Sequence, residues 1–173
     1  MLRTIVLCAL VAFVKGQTTV VDKCIINEGD LPIHQYVEGC TTPPCLLPQL
    51  QDVVIKVVFR APRTIRSMRT LATASVNFGV NIDIQYDLGA NAVTCNFLTN
   101  TYCPVIKDEV IQYTLKMYIE PLFFVGTSAT VEFRVVGDNS EPLWCLRLAI
   151  RIVDAIEGSN EMRMNKTQTL TLN

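Results

Sequence analysis

Segment after segment of this chain alternates apolar and polar residues with a period of two, and no stretch of similar length shows helical spacing. Between Gln51 and Arg60, Val53, Ile55, Val57 and Phe59 share one face, while Lys56 and Arg60 share the other. An extended chain turns successive side chains to opposite sides, so this is the pattern of a strand buried on one face. From Arg69 to Val80, Ala72, Ala74, Val76 and Phe78 oppose Thr73, Ser75 and Asn77, and after Asn81, Ile82, Ile84 and Tyr86 oppose Asp83, Gln85 and Asp87. Tyr113, Leu115, Met117 and Ile119 face away from Thr114, Lys116 and Glu120. Val131, Phe133 and Val135 alternate with Glu132 and Arg134, and Leu146, Leu148, Ile150 and Ile152 with Arg147 and Arg151. Turn formers separate these runs at Leu88-Gly89-Ala90-Asn91, Gly126-Thr127-Ser128 and Gly137-Asp138-Asn139-Ser140. Counting a short first strand near Val20 to Ile26, the pattern predicts an all-β sandwich of about seven antiparallel strands.

The first residues bear on the compartment. Met1 to Gly16 has Arg3, an apolar run from Thr4 to Val14 too short to span a bilayer, and a small residue at the expected cleavage point. Residues 1–16 therefore read as a secretory signal peptide, 17–153 as the folded domain and 154–173 as a polar tail. The tail holds the chain's only glycosylation acceptor, Asn165-Lys166-Thr167. The expected location is extracellular, with the lysosomal lumen as the other lumenal destination.

Export changes the meaning of the cysteines. Cys8 leaves with the signal, so the seven become an even set: Cys24, Cys40, Cys45, Cys95, Cys103 and Cys145. Such a set permits many pairings, and sequence alone does not choose among them. Spacing favours two short loops, Cys40 with Cys45 and Cys95 with Cys103, which would leave Cys24 for Cys145. The spacings lack the short pairs of a structural zinc site, and an oxidising compartment favours disulfides, so neither a metal nor a cofactor is expected. The polar stretch from Cys95 to Cys103, followed by Pro104 and the alternation from Tyr113, reads as a stapled loop at the crossing between two sheets that enclose an apolar cavity.

Catalysis finds little support. The single histidine, His34, lies in an expected loop, Leu31-Pro32-Ile33-His34-Gln35-Tyr36, and no Gly-x-Ser-x-Gly elbow is present. Asp83 and Asp87 fall on outward parity, where solvated charge is the ordinary reading. A net charge of −1 gives no footprint for nucleic acid. The chain is not expected to be an enzyme.

Cys24 in an early segment, Thr41-Thr42-Pro43-Pro44-Cys45 after Cys40, an alternating strand ending at Phe59, Cys103-Pro104-Val105 after Cys95, Tyr113, Val131-Glu132-Phe133 and Cys145 in the last strand together resemble the ML family. These are the myeloid-differentiation-factor-2-related lipid-recognition proteins, and the branch most similar is that of the small soluble Niemann-Pick type C cholesterol carrier and its insect and mite relatives. The resemblance covers about Cys24 to Val153. It implies an immunoglobulin-like sandwich with a lipid or sterol held between the sheets, and disulfides Cys24–Cys145, Cys40–Cys45 and Cys95–Cys103. It also implies a monomeric secreted carrier that transports its ligand without chemistry, in transient contact with a membrane or a receptor. The alternative is an innate-immune recognition protein that presents microbial lipid to a receptor.

The facing sides of the sheets name the expected lipid pocket. Val57 and Phe59 come from one strand, Val76 and Phe78 from the next, and Ile84 from its hairpin partner. Val105 follows the staple, with Tyr113, Leu115 and Met117 beyond it. Phe133, Leu146 and Ile150 complete the set. Leu122, Phe123 and Phe124, beside Pro121 and Gly126, form the expected portal. Arg60, Arg63, Arg66 and Arg69 recur every third residue and form an expected basic surface for anionic headgroups.

Overall fold

In the computed structural model, which describes residues 16–156 other than Phe78, eight strands form two facing sheets. The predicted signal up to residue 15, the tail from residue 157 with Asn165, and Phe78 lie outside the described residues. In chain order the strands are β1 His34–Val37, β2 Cys45–Pro48, β3 Asp52–Arg60, β4 Arg69–Asn77, β5 Asn81–Tyr86, β6 Val110–Tyr118, β7 Ser128–Val136 and β8 Pro142–Val153. The smaller sheet is ordered β1-β3-β6 and the larger β2-β8-β7-β4-β5. No helix among the described residues is long and apolar enough to cross a membrane.

The long alternating strands form where the sequence predicts them. β3 and β6 pair antiparallel from Asp52↔Tyr118 to Arg60↔Val110. This aligns Val53, Ile55, Val57 and Phe59 with Met117, Leu115, Tyr113 and Ile111 on the inner face, all of them buried. On the larger sheet, Val131, Phe133 and Val135 meet Leu148, Leu146 and Trp144 across the β7–β8 ladder. The two inner faces interdigitate as one core, which is what half-buried strands require.

Two expectations are corrected. Val20 to Ile26 is not a strand, and the first strand instead takes in His34, which pairs with Val58 and so does not lie in a loop. The short β2 runs parallel to β8, Cys45↔Ile150 through Pro48↔Val153, so the sandwich is not wholly antiparallel. The described residues hold eight strands, in keeping with the about seven predicted. The physical reason for both corrections is shared: four-residue strands are too short to show a period, so their place and direction follow from pairing with the long strands β3 and β8.

Residues 22–30 cross the outer face of the larger sheet as a strap. Backbone bonds join Asp22 and Arg147 in both directions, at 3.0 and 2.9 Å, and the Cys145 N–H donates to the Asp30 carbonyl at 2.8 Å. The Cys24–Cys145 disulfide fixes it covalently, and Cys40–Cys45 and Cys95–Cys103 are also bonded. Gly29, at φ 140°, passes so close that a Cβ there would stand 2.9 Å from that of Cys145. Beneath the strap lies Glu132, 1% exposed although its outward parity predicts a solvated charge. Its carboxylate accepts the N–H groups of Ile25 (2.7 Å), Ile26 (3.1 Å) and Asn27 (2.9 Å) and the Asn27 side-chain amide (2.9 Å). Burial alone would push this carboxyl up, but the four donors outweigh it and hold it below the usual carboxylate range.

Candidate functional site

The space between the sheets is closed at one end. Thr70, Val135 and Trp144 form one cross-strand row on the inner face of the larger sheet. Phe59 and Tyr113 of the smaller sheet bring their rings to 6.1 and 6.4 Å from the Trp144 ring. The Tyr113 hydroxyl bonds Thr70 at 2.7 Å, and Thr70 bonds Thr94 at 2.8 Å, giving a buried hydroxyl chain. Burial pushes the Tyr113 phenol up to about 12, against the opposing pull of the two threonines. The stapled segment covers this end. The 3-10 turns Gly89–Ala92 and Thr94–Phe97 carry the chain from β5 toward β6, and Leu98 bridges to Tyr113. The Cys95–Cys103 staple thus stands at the crossing between sheets, as the sequence predicts. The Trp144 indole N–H is buried with no acceptor among the described residues.

The opposite corner is open. Along β4 and β5 the register pairs Ala72 with Tyr86, Ala74 with Ile84 and Val76 with Ile82, and Val76 also pairs with Ala129 of β7. Ile82 and Ile84 thus continue the inner-face rows of the core, yet they are 46% and 49% exposed. The smaller sheet has three strands against five, and these two side chains of the edge strand β5 are left uncovered. The β6–β7 loop meets the same corner, because it leads directly into Ser128 and Ala129. In that loop Leu122 and Phe124 are exposed, Phe124 to 80%, while Phe123 turns inward and packs on Tyr86 with ring centroids 5.7 Å apart. The Tyr86 hydroxyl donates to the Tyr118 carbonyl at 3.4 Å, a long bond across the gap between β5 and β6.

Of the predicted pocket residues, Val57, Phe59, Val105, Tyr113, Leu115 and Met117 are buried between the sheets, as are Phe133, Leu146 and Ile150. Val76 is half-buried and Ile84 lies at the open corner, a correction to its place in an enclosed lining. Phe78 is outside the described residues. Trp144 belongs to the inner face although it is not among the predicted lining residues. It shares the parity of Leu146, and extending the β8 alternation two residues back finds it. The predicted portal divides: Leu122 and Phe124 face solvent and Phe123 does not.

The basic run is partly engaged. Arg63 bonds both Asp138 and Glu141, and Arg60 donates to the Asp108 carbonyl at 2.9 Å. Cys24, Cys145 and Glu132 bring donor atoms close together, but both sulfurs are in a disulfide and the carboxylate already accepts four N–H groups. Two surface concavities, of about 590 and 600 Å³, both lie outside the inter-sheet space: one on the outer face of the larger sheet, the other beside the strap.

A family model described as an ML domain matches residues 18–152. A search of curated proteins returns no match. Among solved structures, a Niemann-Pick type C2 protein from the Japanese carpenter ant is similar at TM-score 0.61 and 16% identity, covering 77% of this chain and 98% of that one. Chicken MD-1, complexed with lipid IVa, gives a TM-score of 0.45 at 11% identity, covering 73% of this chain and 83% of that one. At such identities the ant protein bears on the fold alone, and it agrees with the immunoglobulin-like sandwich built above.

Proposed function

We propose that this chain, which belongs to the ML-domain family, is a lipid-binding carrier that admits a sterol or fatty acid between its sheets at the open corner and transports it unchanged. The observation that carries this reading is the bare strip of inner face at Ile82 and Ile84, continuous with the core, together with exposed Leu122 and Phe124 on the loop whose Phe123 packs on Tyr86 of the same strand. Apolar side chains at the end of a core row give a greasy ligand a route in that never leaves apolar surface. The rest of the pathway runs through closely packed residues, so β5 and the β6–β7 loop must lean away from β6 to admit a guest. The ring contact of Phe123 with Tyr86 and the long Tyr86–Tyr118 bond are what that motion breaks.

Burying about 400 Å² of apolar ligand surface at about 25 cal/mol per Å² gives on the order of 10 kcal/mol gross. Association and ordering offset several kcal/mol of this, leaving about micromolar affinity or better. A ligand oxygen reaching the closed end would relieve the Trp144 indole N–H, which favours an oxygen-bearing lipid over a plain hydrocarbon. In this reading residues 1–16 direct the protein out of the cytosol, Asn165 carries a glycan, and the carrier works as a monomer.

The test uses the mature protein stripped of lipid by organic extraction, titrated with a fluorescent sterol and a fluorescent fatty acid. Saturable binding is expected for the wild type, with a loss of about tenfold or more for Ile84→Asp, whose exposed position leaves folding intact. A stripped wild type that binds neither probe, or a folded Ile84→Asp that binds like wild type, would overturn the proposal.

A further inference from the structure

The other face of the larger sheet holds a formed hollow of about 590 Å³ that the lipid reading does not use. Its floor follows from one outward-facing cross-strand row. Asp83 pairs with Ser75, Ser75 with Thr130 and Thr130 with Ala149, so small side chains lie between the longer residues at either side. Arg147 of β8 stands at one wall and Asp83 of β5 at the other, while Ile25 and Ile26 of the strap form part of the rim.

Arg147 is the informative residue. It lies in register with Glu132 on the same face, the usual setting for a cross-strand ion pair. Glu132 is saturated by the strap's N–H groups, however, and no ion pair or side-chain hydrogen bond engages the Arg147 guanidinium among the described residues. Half-buried Arg147, lining this mixed polar and apolar hollow, presents forked donors that match a carboxylate in geometry as well as charge. Across the hollow, Asp83 accepts from the Ser75 hydroxyl at 2.6 Å and keeps lone pairs for further hydroxyl donors. Ile25 and Ile26 are exposed and offer apolar surface to the C–H face of a ring. Three strand spacings of about 4.8 Å separate β8 from β5, a span for more than one ring.

We propose that this hollow binds an acidic oligosaccharide, with a carboxylate on Arg147, hydroxyls on Asp83 and Thr130, and a ring face against Ile25 and Ile26. The site is independent of the lipid pathway, since the two occupy opposite faces of one sheet.

Titration of the isotope-labelled mature protein with a hyaluronan tetrasaccharide, followed by amide chemical shifts, tests this. Saturable shifts are expected at Asp83, Thr130 and Ala149, with binding weaker by about tenfold or more for the carboxyl-reduced tetrasaccharide and for Arg147→Gln. Ala149→Leu fills the floor at an exposed position without changing charge, and it should also abolish the shifts. Lipid-probe binding should be unchanged in both variants. The proposal is overturned if no shifts appear at millimolar saccharide, if the carboxyl-reduced sugar binds equally, or if folded Ala149→Leu binds like wild type. Binding to anionic vesicles but not to the tetrasaccharide would overturn it as well.

Discussion

The two ends of the inter-sheet space are built on opposite plans. At one end Trp144, Phe59 and Tyr113 pack against each other, a hydroxyl chain is sealed beneath the stapled loop, and the row is buried throughout. At the other, residues of the same inward parity end in half-exposed isoleucines beside an apolar loop. The same alternation produces both, and the difference lies in what covers each end: Trp144 is 1% exposed, Ile82 and Ile84 46% and 49%. Stability is therefore concentrated where the sheets overlap, and freedom to open where they do not.

Trp144→Ala should show this division most strongly. Loss of a fully buried indole is expected to cost about 4 kcal/mol in urea unfolding, against less than about 1 kcal/mol for Ile84→Ala. Equal losses would erase the distinction between the ends.

Next comes the strap that backs the closed region. Glu132→Ala leaves several partly buried strap N–H groups without an acceptor and is expected to cost about 3 kcal/mol. Because the folded carboxyl titrates below its unfolded value, its contribution is complete above the unfolded pKa of about 4.3 and fades as pH falls through the lower folded value. Acid unfolding of the wild type should carry this slope, and that of Glu132→Gln should lose it.

Tyr113→Phe removes one bond of the hydroxyl chain and is expected to cost about 1 kcal/mol. Here the sign reverses. With the folded phenol at about 12, its contribution holds below the unfolded pKa of about 10 and is lost as pH rises through 12. Tyrosinate absorbance should therefore show one late-titrating phenol that the variant lacks.

The smallest stability change belongs to the open corner. Phe124→Ser should shift unfolding by less than about 0.5 kcal/mol, since the ring is solvated. Ligand transfer between vesicles should nevertheless slow severalfold. An unchanged transfer rate would show that the exposed loop takes no part in delivery.

Much of the fold was legible because β3, β6, β7 and β8 each bury one face over many residues, and a period of two reports that directly. β1 and β2 were not, since four residues spanning a histidine or a proline carry no readable period. The errors at the site have one cause. Parity tells which side of a sheet a residue occupies, but not whether anything lies over it. Ile84 points inward and is uncovered, whereas Glu132 points outward and is buried by a strap from more than 100 positions away. Arg63 likewise stands in a basic run along the sequence, yet the turn bearing Asp138 and Glu141 folds against it and pairs its charge.

The position of the last strand reaches beyond the finished structure. Because β8 lies inside its sheet, between β2 and β7, two neighbours keep bare edges until nearly the whole domain has been synthesised. The ribosome thus releases a chain whose early and middle portions cannot close by themselves, and a stop codon just before Pro142 should yield a sticky fragment rather than a smaller working domain.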